Sequence, residues 1–183
     1  GTVDVADIAA PDAQKQGAVR YEPTPPDCFA FLLEEAGIGN PSSWTLVDLG
    51  SGKGRVPLLA AQAGFKQAVG VELGSDLHAI ALENLRRSGL KNVRFIQADA
   101  RTYAWDSAPT VCFLNNPFSA DILDAVLDSI EAAHPGDFRI LYYHANHADC
   151  IERREGWTAV AKGCWQDLSH HYSIYRWTGT AAD

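Results

Sequence analysis

The sequence predicts an α/β protein: one mostly parallel sheet of seven strands, helices on both faces, and an antiparallel hairpin at the C-terminus. Three observations predict it. From Trp44 onward, short apolar runs alternate with helical stripes, giving five strands interleaved with helices. Glycines at Gly50, Gly52 and Gly54 crowd the turn after the first run, where a strand must give way sharply to a helix. From Trp157 to Trp177 the pattern changes to β-branched and aromatic residues, with a polar break at Gln166 and Asp167, which reads as a hairpin.

The elements follow in order. Residues 1–20 are rich in Ala, Asp, Gln and Gly without a sustained period, so they form a loosely docked lead-in, and residues 21–183 form a single domain. Thr24-Pro25-Pro26-Asp27 opens a helix: threonine caps, proline suits the first turn, and Asp27 completes a capping-box pattern. Phe29, Leu32, Leu33 and Ala36 share one face of it, and Gly37 ends it. The first strand is Trp44 to Leu49, followed by a helix with Val56, Leu59, Ala60 and Ala63 inward, ended by Gly64. Gln67 to Glu72 is the second strand, and Ser75 caps a helix with Leu77, Ile80, Ala81 and Leu85 inward. Asn92 to Gln97 and Thr110 to Leu114 are the third and fourth strands. Ser119 caps a helix with Ile122, Leu123, Val126, Leu127 and Ile130 on its apolar face, and Asp121 and Asp124 near its positive end. Phe138 to His144 is the fifth strand, Asn146 to Arg154 a short helix, and the hairpin pairs Trp157 to Trp165 with His170 to Trp177.

Composition narrows the class. A chain of 183 residues can bury roughly 70% of its unfolded surface, so it needs no disulfides or structural metal to fold. Its formal charge of −8 disfavours a nucleic-acid partner, which a Lys/Arg surface would meet. No run of 18 apolar residues is present and the first ten residues lack a basic region, so neither a membrane span nor a signal peptide is expected. Four cysteines, Cys28, Cys112, Cys150 and Cys164, make no Cys-x-x-Cys pair, which predicts reduced thiols in a cytoplasmic protein. Methionine is absent and Gly1 comes first, as in a processed or excised chain.

In a sheet of this kind, ligands bind beyond the carboxyl ends of the strands, at the point where strand order reverses. The loop after the first strand, Asp48-Leu49-Gly50-Ser51-Gly52-Lys53-Gly54-Arg55, is the strongest signal. A phosphate loop needs Ser or Thr after its Gly-Lys, but Gly54 follows Lys53. A dinucleotide fingerprint needs its third glycine where Arg55 stands. What remains is an acid two residues before Gly-x-Gly-x-Gly.

That pattern resembles motif I of the class I S-adenosylmethionine-dependent methyltransferases, whose fold is the Rossmann-like sheet expected here. The resemblance implies that Asp48 holds the ammonium of the cofactor, directly or through water. It implies that the amides of Gly50, Ser51, Gly52 and Gly54 face the methionine moiety, with Arg55 beside them. It extends to Glu72, 18 residues after Gly54, as acceptor for both ribose hydroxyls, with Leu73 next to it. Asp99 in Gln97-Ala98-Asp99-Ala100 would accept from the adenine amino group, with Ala100 adjoining.

After the fourth strand, Asn115-Asn116-Pro117-Phe118 resembles the Asn-Pro-Pro-(Tyr/Phe) motif of amino-group methyltransferases. In that family the Asn oxygen and the next carbonyl accept the amine's hydrogens, and the aromatic ring packs on the acceptor; no strong base is needed. Carried over, Asn115 supplies the oxygen, with Asn115 also bordering the cofactor, Asn116 supplies the carbonyl in place of a proline, and Phe118 supplies the ring. Tyr21-Glu22-Pro23-Thr24-Pro25 resembles a lead-in of small bacterial methyltransferases that folds over the cofactor, so Tyr21 and Glu22 are lid candidates. His144 lies in a cluster with Tyr142, Tyr143, Asn146 and His147 at the end of the fifth strand and could act as a base toward an oxygen acceptor. His144, His147 and Cys150 offer an incomplete metal set, so no metal is expected. Trp105, Trp157, Trp165 and Trp177 are expected in packing, because no basic residues interleave with them. The expected activity is methyl transfer to the amine of a protein lysine or a small molecule. A nucleic-acid base, an oxygen acceptor, and a protein that binds the cofactor without transfer remain as alternatives.

Overall fold

The computed structural model describes residues 23–133 and 136–179. Five helices and seven strands appear in this part of the chain: α1 Pro26–Glu35, β1 Thr45–Leu49, α2 Arg55–Gln62, β2 Gln67–Glu72, α3 Ser75–Ser88, β3 Val93–Gln97, β4 Thr110–Asn115, α4 Ala120–Ala132, β5 Phe138–Tyr143, α5 Asp149–Glu152, β6 Trp157–Cys164 and β7 His171–Trp177. Two short 3-10 turns, Pro41–Ser43 and Ala100–Thr102, complete them.

The strands form one seven-stranded sheet in the order β3-β2-β1-β4-β5-β7-β6. β3, β2, β1, β4 and β5 are parallel, and β7 runs antiparallel between β5 and β6. The strand order reverses between β1 and β4, so the crevice for a ligand opens beyond Leu49 and Asn115.

The central strands are apolar on both faces because each face is covered. Leu46, Val111, Phe113, Leu141 and Tyr143 point to a core shared with Phe29, Leu32 and Leu33 of α1 and Leu58 of α2. Val47, Leu49, Cys112, Leu114, Ile140 and Tyr142 point the other way, onto Leu123, Val126, Leu127 and Ile130 of α4 and Ile151 of α5. Alternation of side chains along each strand produces this division. Trp105, Trp157 and Trp177 join the second core and Trp165 packs against the first. Burying a Leu- or Phe-sized side chain contributes about 1.5–3 kcal/mol, which these two layers supply many times over.

Local expectations are corrected in several places. Thr24 does not cap α1; the cap position is Pro25, without a side-chain bond, and Thr24 turns inward instead. Ser75 lies inside α3, capped at Gly74, and Ser119 holds the cap position of α4 without a side-chain bond. Ile80 is exposed, so Ala81 is the buried residue of α3. The short helix after β5 is one turn, Asp149–Glu152, because His144 takes a positive φ and starts a tight turn first. His170 precedes β7 rather than beginning it.

Candidate active site

The glycine loop joins the C-terminal end of β1 to α2. Gly50, Gly52 and Gly54 all have positive φ, at 78°, 53° and 85°. At Gly54 a close approach adds to the conformational need: a Cβ there would stand 2.3 Å from the Phe95 ring. A Cβ on Gly50 would stand 2.5 Å from Pro117 Cβ, so the loop after β4 presses directly on the loop after β1.

The amides of Gly50, Ser51, Gly52 and Gly54 are bonded within the fold. Gly50 and Ser51 donate to the Val71 carbonyl, at 2.8 and 3.0 Å. Gly52 donates to Glu72 Oε2 at 2.9 Å, and Gly54 donates to the Ser51 carbonyl at 2.8 Å. Backbone donors in a buried loop need partners, and the neighbouring strand supplies them.

Asp48 is 4% exposed and lines a small, half-open cleft together with Pro23, Thr24, Gly50, Ser51, Arg55, Val56, Phe113 and Asn115. Burial, and then the Glu72 carboxylate, raise the Asp48 pKa well above the ordinary carboxylate range. A buried carboxyl held this way is complementary to an incoming ammonium, which would restore its charge. Glu72 ends β2, where its second oxygen accepts from the Gly74 amide at 2.8 Å. Those two backbone bonds fix the carboxylate, which has about four acceptor sites in all. Leu73 beside it is exposed.

Asp99 follows β3 on the far side of β2. Arg101 grips it with Nε, Nη2 and its own amide, and these bonds lower the Asp99 pKa to about 2. Ala100 next to it is buried. The chain thus sets Asp48, Glu72 and Asp99 at the ends of β1, β2 and β3, in sheet order, along one edge.

On the other side of the crevice, Asn115 ends β4 beside Tyr143 of β5. Its Nδ2 donates to Thr24 Oγ1 at 3.2 Å, and its Oδ1 lies 2.9 Å from His144 Nδ1. Asn116 has φ +41°, and its Oδ1 accepts from the Tyr142 hydroxyl at 3.2 Å. Proline is locked near −65° and cannot take that conformation. Tyr142, whose pKa burial pushes up to about 12, also accepts from the His147 amide and so ties the loop to the turn before α5. Phe118 packs partly buried against the α4-side core, not on the cleft.

Of the residues singled out from sequence, the cleft brings together Asp48, Gly50, Ser51, Arg55 and Asn115. Glu72 is bonded to the Gly52 amide, next to Ser51 of the cleft wall, and His144 reaches the cleft through Asn115. Tyr21 and Glu22 lie outside the described residues. Sequence reasoning missed Thr24 as a partner of Asn115, Phe95 as the ring that requires glycines at 54 and 70, and Arg101 on Asp99. The last was legible as an acid and an Arg two residues apart after a strand; the first two are contacts across the fold. Among the described residues no three His, Cys, Asp or Glu side chains form a group able to hold a metal ion, and no helix is long and apolar enough to cross a membrane.

Residues 46–134 match the family model described as a methyltransferase domain. No curated protein matches the sequence. Solved structures with the same fold are similar. Precorrin-6y C5,15-methyltransferase from Geobacter metallireducens GS-15 superposes with a TM-score of 0.68 at 14% identity, over 89% of this chain and 94% of that one. Magnesium protoporphyrin IX methyltransferase from Synechocystis PCC 6803, with bound S-adenosylmethionine, gives 0.65 at 14% identity over 85% and 79%. An RNA methyltransferase from Salinibacter ruber, in complex with S-adenosyl-L-homocysteine, gives 0.62 at 20% identity over 88% and 96%.

Proposed function

We propose that this S-adenosylmethionine-dependent methyltransferase transfers its methyl group to an amine nitrogen, that of a protein lysine or of a small molecule. One observation carries the reading: the Asn115 amide is held at the end of β4, on the wall of the same cleft that Asp48 and the glycine loop line.

The cofactor supplies an electrophilic methyl on a sulfonium. The residues present fit it. Asp48, buried, would pair with the ammonium; Glu72, held by two amides, would accept from the ribose hydroxyls; and Asp99, Ala100 and Leu73 would border the adenine. Because the loop amides are bonded within the fold, these contacts rest on side chains and carbonyls.

Transfer to an amine is an in-line displacement by a neutral nitrogen. The nitrogen must aim its lone pair at the methyl, so its hydrogens must be held elsewhere. Asn115 Oδ1 is the acceptor that does this. The left-handed turn at Asn116 redirects the carbonyl there relative to a proline, so the weight falls on the Asn115 oxygen. The formal charge of −8 suits a cationic or neutral acceptor better than a phosphate backbone.

The test is a transfer screen with methyl-labelled S-adenosylmethionine over protein, small-molecule and nucleic-acid fractions. Label that survives alkaline hydrolysis and maps to a lysine or small amine supports the reading. Label released as methanol, as from an ester, or recovered only in nucleic acid contradicts it.

A further inference from the structure

We infer that His144 is a positioning residue: the hydrogen on its Nδ1 sets which way round the Asn115 amide sits, and thereby turns the Asn115 oxygen to its task. The role matters if an amine is the acceptor, as proposed above.

A carboxamide rotated by 180° has nearly the same shape but exchanges an acceptor for a donor. Among the described residues, Thr24 and His144 bear on this choice. Thr24 Oγ1, buried and 3.2 Å from Nδ2, is a hydroxyl that both donates and accepts, so it tolerates either orientation. His144 does not. With a hydrogen on Nδ1, only Oδ1 can face it at 2.9 Å; with the hydrogen on Nε2 alone, the NH2 group must face it. The tautomer of His144 and the orientation of the amide are therefore one variable.

The imidazole is itself held in place. His144 has φ +51°, an uncommon conformation for a residue with a side chain, and its amide donates to the His171 carbonyl at 2.8 Å. Its ring lies against the Tyr143 ring with centroids 4.0 Å apart, and the rings of His170 and His171 stand at 5.7 and 6.0 Å. The Tyr143 hydroxyl is bonded to His170 Nδ1, and His170 Nε2 lies 3.8 Å from the Asp167 carboxylate. The C-terminal end of β5 and the start of β7 thus build a cluster of rings around the imidazole whose Nδ1 meets Asn115. With the amide reversed, its N–H would confront the hydrogens of an acceptor amine. His144 acts through Asn115 and touches no reacting atom.

The experiment is long-range 1H–15N correlation of the full chain labelled on its histidine rings. His144 is expected to carry hydrogen on Nδ1, as a neutral ring or an imidazolium; a ring protonated on Nε2 alone overturns the inference. Replacing Asn115→Leu should let the neutral ring shift to the Nε2–H form, and an unchanged tautomer overturns the coupling. The side-chain NH2 signals of Asn115 should stay near wild type in His144→Gln, which keeps a donor, and move in His144→Leu, which has none; equal spectra in both overturn it. S-adenosylmethionine binding is measured on the same samples. Binding with the wrong tautomer defeats the inference alone, whereas no binding by the wild type defeats the methyltransferase reading and leaves the tautomer to judge His144.

Discussion

Replacing Gly54 by alanine tests whether the glycine loop is shaped by a steric fit against β3 or by backbone freedom alone. At φ +85° an L residue costs roughly 1–2 kcal/mol. The new Cβ would also lie 2.3 and 2.7 Å from two carbons of the Phe95 ring and 3.1 Å from Ala81 Cβ. Phe95 has little room to yield, since a Cβ on Gly70 would meet the same ring at 2.5 Å. Overpacking of this sort costs about 1–3 kcal/mol, so the total is roughly 2–5 kcal/mol. For a chain of this size each kcal/mol lowers Tm by about 2–4 °C, giving a drop of roughly 4–20 °C. Gly37 is the control: its φ is +71° but a Cβ there meets nothing within 4 Å, so Gly37→Ala costs only the backbone component. The assay is thermal unfolding of Gly54→Ala, Gly37→Ala, and Gly54→Ala in a Phe95→Ala background. The steric part should vanish in the last, leaving a cost like that at Gly37. Equal losses at Gly54 and Gly37, or an undiminished loss without the Phe95 ring, would refute the reasoning.

Asp48→Asn should stabilise the ligand-free protein and weaken cofactor binding together. The raised pKa means that the folded state holds its proton to higher pH than the unfolded state, whose carboxyl titrates near about 4. Stability from this group is full below that value and is lost as pH rises through the folded pKa. The variant's advantage in Tm should therefore open above about pH 4 and level off once Asp48 is ionised; an advantage confined to low pH would contradict it. Glu72→Ala removes the acceptor of the Gly52 and Gly74 amides and of the ribose. A charge-assisted bond contributes about 1.5–3 kcal/mol, so the cofactor Kd should rise roughly 10- to 150-fold by calorimetry; a change under twofold would remove Glu72 from the site. Asn115→Ala should abolish labelled-methyl transfer while the calorimetric Kd for the cofactor stays within a few-fold of wild type. A parallel loss of binding would place Asn115 in the cofactor site instead.

The sheet was readable because its pattern is redundant. Val47, Leu49, Val69, Val71, Cys112 and Leu114 are buried in covered strands, and such strands need continuous apolar runs. The antiparallel tail was readable because Trp157 to Trp177 changes period at one polar break. Asp48, Gly50, Glu72 and Asp99 could be placed from sequence at or just past the ends of their strands, because the apolar runs stop there. Capping failed because a cap is a competition. Thr24 can bond the helix or Asn115 91 residues away, and the burial of the site decides for Asn115. The internal bonds of the loop amides were not legible either: a Gly-rich turn offers donors, but only the neighbouring strand shows that Val71 takes those of Gly50 and Ser51. The handedness of the turn at Asn116 was invisible, since asparagine suits a turn of either hand.

The central claim is that the cleft beside Asp48 holds S-adenosylmethionine. Titration calorimetry of the full chain with S-adenosylmethionine, repeated in buffers of different ionisation enthalpy, tests it most directly. Saturable binding at one site with Kd below about 1 mM, or more than about 4 kcal/mol, is the result the account predicts. Where Asp48 starts protonated, the buffers should also reveal proton release as the ammonium restores its charge, and Asp48→Asn should lose that release. Absence of heat up to millimolar cofactor, with the protein folded, would contradict the account.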